Sequence, residues 1–124
     1  MTRDTEVFLV VRRGDEYLVV HRVPEGGAYW HGIAGGVEPG ESPGAAAARE
    51  LREETGFAAE PVSLEAPFAY AGVTVHTFLV EVPPGWEPDL NEEHDDYRWL
   101  PRDEAVELLY WPEPKELIRT ISGT

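Results

Sequence analysis

The sequence predicts an α+β fold, an α/β/α sandwich around a mixed β-sheet. Three observations lead there. Runs such as EVFLVVRR (6–13), EYLVVHR (16–22) and VTVHTFLVEV (73–82) are rich in β-branched and aromatic residues and read as strands. Between them lies AAAARELREET (45–55), composed largely of good helix formers. The chain then closes with two further helical stretches. Strands and helices mixed in this way place helices against the faces of a sheet.

Each element has a local reason. The first two strands turn at Gly14-Asp15, and PEGGA (24–28) is a loop. Tyr29 to Ile33 is a short aromatic-rich strand leading into Ala34-Gly35-Gly36. Ser42 or Glu41 caps the central helix, Pro43 takes its first position, and Gly56 stops it. Residues 60–65 and 72–82 are further strands. Pro83, Pro84, Gly85 and Pro88 make 83–96 a loop, and Tyr97 to Leu100 a short strand after it. Pro101 to Leu109 and Pro114 to Ile121 are the closing helices, with Trp111-Pro112 between them. No repeat or long linker divides the chain, so one domain is expected over residues 1–124.

Composition narrows the function. Of 124 residues, 42% are apolar and 27% charged, which is globular rather than disordered composition. A formal net charge of -14 repels nucleic-acid backbones, so a nucleic-acid polymer is excluded as partner. Apolar runs such as 7–11 are too short to span a membrane, so no membrane partner is expected. There is no cysteine, hence no disulfide framework or thiolate chemistry. MTRDTEVF lacks the apolar core of a signal peptide, and a cytoplasmic protein is the simplest expectation.

The acidic residues are clustered. Glu50, Glu53 and Glu54 fall within one helical turn, although like charges at this spacing repel. On a helical wheel the three share one arc, while Gly44, Ala47, Ala48, Leu51 and Thr55 form a separate small or apolar stripe. The helix is expected to bury that stripe and present the carboxylates on the neighbouring face. Arg49 lies beside Glu53 at i,i+4 and can orient it. Glu50 and Glu54 have no cation between them on the wheel. A hard divalent cation resolves that repulsion, because Mg²⁺ and Mn²⁺ prefer carboxylate oxygen.

The full spacing is Gly35, five residues, Glu41, seven residues, then Arg49-Glu50-Leu51, one residue, Glu53-Glu54, one residue, and Gly56-Phe57. It resembles the signature of the Nudix hydrolases at every fixed position. The resemblance implies that family's α/β/α sandwich and metal-dependent hydrolysis of a diphosphate linked to a nucleoside or similar group. By motif position it makes Glu50 and Glu54 the main metal ligands and Glu53 a further ligand through water. The backbone carbonyl of Ala34 or Gly35 is another candidate ligand, since glycine lets the backbone approach a metal unobstructed. Glu41 assists from the helix start. Arg49 orients the glutamates, and Leu51 and Gly56 are structural. The implied cofactor is Mg²⁺, with Mn²⁺ as alternative.

A second acidic stretch, DLNEEHDD (89–96), precedes YRWL (97–100). Glu93-His94 with Tyr97-Arg98-Trp99-Leu100 resembles a stretch of two subgroups, the dihydroneopterin triphosphate pyrophosphatases and the diadenosine tetraphosphate hydrolases. That match implies that Glu93 is a metal ligand or the catalytic base, with Glu92 as competitor. The catalytic assignments therefore fall on Glu53, Glu54 and Glu93. His94 is read as a loop residue or a support behind the ligands, since Mg²⁺ disfavours imidazole.

On the substrate side, Arg22 is a phosphate contact or a surface strand-end arginine. Tyr29 and Trp30 stack on a base or pterin ring, or pack in the core. Trp99 and Trp111 are read as core. The expected reaction is cleavage of a pyrophosphate bond in a nucleoside or pterin triphosphate, by a monomer or homodimer with a small-molecule substrate. Two alternatives stand beside it. A non-catalytic nucleotide-sensing domain on the same fold usually lacks a box glutamate, and none is missing here. A dinucleoside polyphosphate hydrolase usually carries a proline-lysine-glycine run where this chain reads Gly32-Ile33-Ala34-Gly35.

Overall fold

The computed structural model describes residues 4–121. Its spine is β1 (Thr5–Arg13), whose residues from Val7 to Val11 are all buried. β2 (Glu16–Arg22) returns antiparallel to it at the hairpin end, with Arg12 opposite Tyr17. β4 (Ile33–Gly36) pairs antiparallel with the other end of β1, with Val7 opposite Gly35. β7 (Val73–Glu81) runs parallel along the far edge of β1, from Thr5 opposite Thr74 to Arg12 opposite Glu81. β2 is also flanked by β3 (Trp30–His31) and β8 (His94–Pro101). β5 (Val62–Ser63) and β6 (Phe68–Tyr70) extend β7. The sheet is mixed, as expected.

Successive residues of a strand face opposite sides of the sheet. Val7, Leu9 and Val11 therefore join Leu18, Val20, Phe78 and Val80 under α1 (Pro43–Thr55). Phe8 and Val10 join Tyr17, Val19 and Val75 under α2 (Arg102–Leu108) and α3 (Pro112–Thr120). Burying each such side chain is worth about 1.5–3 kcal/mol before entropy. The two cores make an α/β/α sandwich. Among the described residues, no helix is long and apolar enough to cross a membrane.

Several boundaries differ from the sequence reading. The strand expected over 29–33 splits at Gly32. Trp30–His31 pairs with β2 and Ile33–Gly36 with β1. A Cβ on Gly32 would lie 2.5 Å from the Phe8 ring, so only glycine lets the chain cross between these neighbours. The strand expected over 60–65 shrinks to Val62–Ser63, at an edge where Val62 is 65% exposed and gains little burial. Phe68–Tyr70, unforeseen, forms a hairpin with β7, turned by Ala71 and Gly72 with φ of 49° and 80°. β8 begins at His94 rather than Tyr97, because Asp96 and His94 pair with His21 and Arg22.

Candidate active site

α1 is fixed at both ends. Ser42 Oγ accepts the Ala45 N–H at 3.1 Å, Pro43 opens the first turn, and Gly56 closes the last with φ 81°. Its buried residues are Ala46, Ala47, Glu50, Leu51, Glu54 and Thr55. This corrects the expected stripe. Gly44 is exposed, and two of the three glutamates lie on the flank against the sheet. Glu53 alone stays exposed.

The cause lies in a different strand. A Cβ on Gly35 of β4 would fall 2.2 Å from Glu50 Cδ. The missing side chain is the space that the Glu50 carboxylate occupies. Arg49 holds that carboxylate from the other side, with Nη1 donating to Glu50 Oε1 at 2.7 Å. The same guanidinium donates to both oxygens of Glu41, at 2.8 and 2.9 Å, and to the Gly36 carbonyl at 2.9 Å. Its contact with Glu53 is the longest, at 3.4 Å. Arg49 thus serves Glu41 and Glu50 more closely than its i,i+4 neighbour, and Glu50 does have a cation beside it. Hydrogen bonding to Glu41 leads the causes that raise the Arg49 pKa above its ordinary value.

Glu54 is 1% exposed, and its Oε2 has no hydrogen-bond partner. Burial first, then the Glu50 carboxylate and the charge of Glu93, push its carboxyl well above the usual carboxylate range. The Ala34 backbone amide pulls the other way. His94, expected in a loop or supporting role, is buried in β8 with Nδ1 3.9 Å from Glu54 Oε1. Burial, then the charge of Arg22, lowers its pKa to about 4, so it brings Glu54 no positive charge near neutrality.

Glu93 sits at the turn before β8. Asn91 clamps it twice, accepting the Glu93 N–H at 3.0 Å and donating to Glu93 Oε2 at 3.3 Å. Arg22 Nη1 lies 3.6 Å from Glu93 Oε1. Glu92 is exposed. Among the described residues, no three acidic or histidine side chains are already gathered around one point. The donor chemistry nevertheless fits a hard divalent cation. Two buried carboxylates lie close, one has an unpartnered oxygen, and the Gly35 backbone touches the other.

Gly35 also lines a cleft of about 260 Å³, together with Arg22, Tyr29, His31, Tyr70 and Trp111. Arg22 packs over Gly26, where a Cβ would meet its Nη2 at 2.7 Å, and its Nε is buried without a partner. His31 sits edge-on between the rings of Phe8 and Tyr29, at centroid distances of 5.2 and 5.7 Å. Its Nδ1 is buried and unpartnered, and burial followed by the charge of Arg22 lowers its pKa to about 4.

Of the aromatic residues singled out from sequence, Tyr29 reaches the cleft and Trp30 does not line it. Trp30 packs beside His21 at 5.0 Å and under the Arg98 guanidinium at 4.8 Å. Trp111, read as core, is 42% exposed and lines the cleft. Trp99 packs with Trp86 and under Arg13. His31 and Tyr70 were missed. Tyr70 lies on the unforeseen β6. The one local signal for Trp111 is its place, an aromatic pair with Tyr110 held between two short helices by Pro112.

Known proteins resemble this chain in sequence and fold. A family model described as NUDIX domain matches residues 2–121. The chain is 37% identical to an octanoyltransferase of Myxococcus xanthus, over 94% of this chain but only 36% of that protein's length. It is 34% identical to the asymmetrical bis(5'-nucleosyl)-tetraphosphatase of Mus musculus, over 84% of this chain and 76% of that protein. Among solved structures, the binary complex of the C. elegans Ap4A hydrolase superposes with a TM-score of 0.79, at 27% identity over 92% of both chains.

Proposed function

Since this chain belongs to the NUDIX domain family, we propose that it is a Mg²⁺- or Mn²⁺-dependent hydrolase of a pyrophosphate bond in a nucleoside or pterin triphosphate. The observation that carries this reading is the buried Glu50 and Glu54 pair, joined through Gly35 to a cleft lined by a guanidinium and aromatic rings. When bound, the cation neutralises phosphate charge and makes water more acidic. Glu50, Glu54 and the Gly35 backbone would hold it, with Glu53 as a further ligand from the exposed side. Arg49, anchored on Glu41, keeps the Glu50 carboxylate aimed. Arg22 meets a phosphate oxygen with a guanidinium already desolvated on one side. Glu93, held by Asn91, accepts the proton of the attacking water. Tyr29 and Trp111 flank the ring of the substrate.

A second reading, hydrolysis of a dinucleoside tetraphosphate, is favoured by the 34% identity to the mouse tetraphosphatase. One experiment tests both. Nucleoside triphosphates, dihydroneopterin triphosphate and dinucleoside polyphosphates are incubated with Mg²⁺, and phosphate and pyrophosphate release is followed. Glu54→Gln runs in parallel. Turnover of one class that disappears in Glu54→Gln is expected. No turnover of any of them, with nucleotides still raising the melting temperature, would leave a nucleotide-sensing domain instead.

A further inference from the structure

The cleft carries both signs of charge. Arg22 is the only cation among the described residues that line it. The same wall also carries two carboxylates, Glu6 and Glu113. Tyr70 marks their place, because its hydroxyl donates to Glu6 Oε1 at 3.1 Å. Burial first and then the charges of Glu6 and Glu113 raise the Tyr70 pKa, which puts Glu113 within electrostatic reach of the same ring.

Aromatic surface gathers along the cleft. Tyr29 meets Trp111 edge-on at 5.9 Å and Tyr110 at 5.5 Å, and Tyr70, Tyr110 and Trp111 are 43%, 62% and 42% exposed. Open aromatic faces grouped along a cleft suit a flat ring. A polyphosphate tail is repelled by carboxylates and drawn towards Arg22. The ring is left to the aromatic faces of Tyr29, Tyr70 and Trp111.

Glu6 is engaged by Tyr70. The side chain of Glu113, in the first turn of α3, has no hydrogen-bond or ion-pair partner among the described residues. An ionised carboxylate only accepts hydrogen bonds, and two parallel N–H groups satisfy it best. A 2-amino-4-oxo ring, the edge shared by guanine and pterins, presents a ring N–H beside an amino group. Adenine places an acceptor nitrogen there, as does cytosine, and uracil flanks its single N–H with two carbonyls. We propose that Glu113 is a specificity-determining residue that selects a 2-amino-4-oxo ring, guanine or pterin, stacked against Tyr29 and Trp111. This rests on the hydrolase reading above and narrows its substrate.

The test measures kcat and KM with Mg²⁺ for GTP, ATP, CTP, UTP and dihydroneopterin triphosphate, in the wild type and in Glu113→Gln. Binding of GMP and AMP is followed separately by quenching of tryptophan fluorescence, which needs no turnover. GTP or the pterin should exceed ATP in kcat/KM by about tenfold or more, the range of a charge-assisted hydrogen bond. Glu113→Gln should erase most of that preference through KM, with kcat little changed. GTP ahead of the pterin identifies a nucleotide substrate, and the reverse a pterin. Equal turnover of GTP and ATP, or a preference that survives Glu113→Gln, overturns the proposal. If no triphosphate is hydrolysed the hydrolase reading fails, and tighter GMP than AMP binding, lost in Glu113→Gln, would still uphold the role of Glu113.

Discussion

His31 shows how a single buried group records the environment of the cleft. Its imidazole is held between two aromatic rings, with one nitrogen unpartnered. Folding lowers its pKa from 6.5 to about 4. Between those values the unfolded chain binds the proton and the folded chain does not. Stability therefore rises with pH across this window and is lost as pH falls through it. The full effect is about 3 kcal/mol at most. Thermal unfolding of the metal-free protein between pH 4 and pH 7 should show this slope. His94, also lowered to about 4, adds to this slope and Glu54, raised, opposes it, so His31→Gln should reduce the slope by the share of one proton, and an unchanged slope would assign it to other groups.

At the scale of elements, β4 and α1 act as one unit. Gly35 and Glu50 belong to different elements and share one volume. Gly35→Ala must displace the Glu50 carboxylate from the space it fills. A displacement near 1 Å is expected to lower kcat/KM by about 100-fold. Circular dichroism should stay native, because the strand pairing of Val7 with Gly35 uses backbone only. Retained activity would show that Glu50 is not a ligand. The same pair explains what the sequence could reveal. The limits of α1 were legible because Ser42, Pro43 and Gly56 are local signals. The glutamate spacing was legible for the same reason. Burial of Glu50 and Glu54 was not, since it depends on a glycine in another strand. The start of β8 was missed because its partners, His21 and Arg22, lie far away in sequence. β6 was missed because three residues are too few to show an alternating pattern, although its hairpin partner is local, and Tyr70 was missed with it. Trp111 looked like core because an aromatic residue carries no mark of which side of a helix junction it will face.

The whole molecule carries a formal charge of -14 and is expected to bind an anion. Substrate therefore approaches against a repulsive field. Salt screens such fields, the Debye length falling from about 30 Å at 0.01 M to about 8 Å at 0.15 M. With Mg²⁺ held saturating, kcat/KM should rise with ionic strength over this range, opposite to a cationic nucleotide-binding protein. A fall would point to attraction dominated by Arg22 and the bound cation. The parallel pairing of β1 with β7 adds a constraint in time. A ribosome must deliver residue 81 before the first strand gains its last parallel partner, so the nascent chain carries an apolar, half-paired edge while most of the protein is being made. Refolding should accordingly run in the slower, millisecond-to-second regime of non-local topologies. Chains cut short before β7 should be held by chaperones or aggregate rather than fold, however complete their glutamate motif.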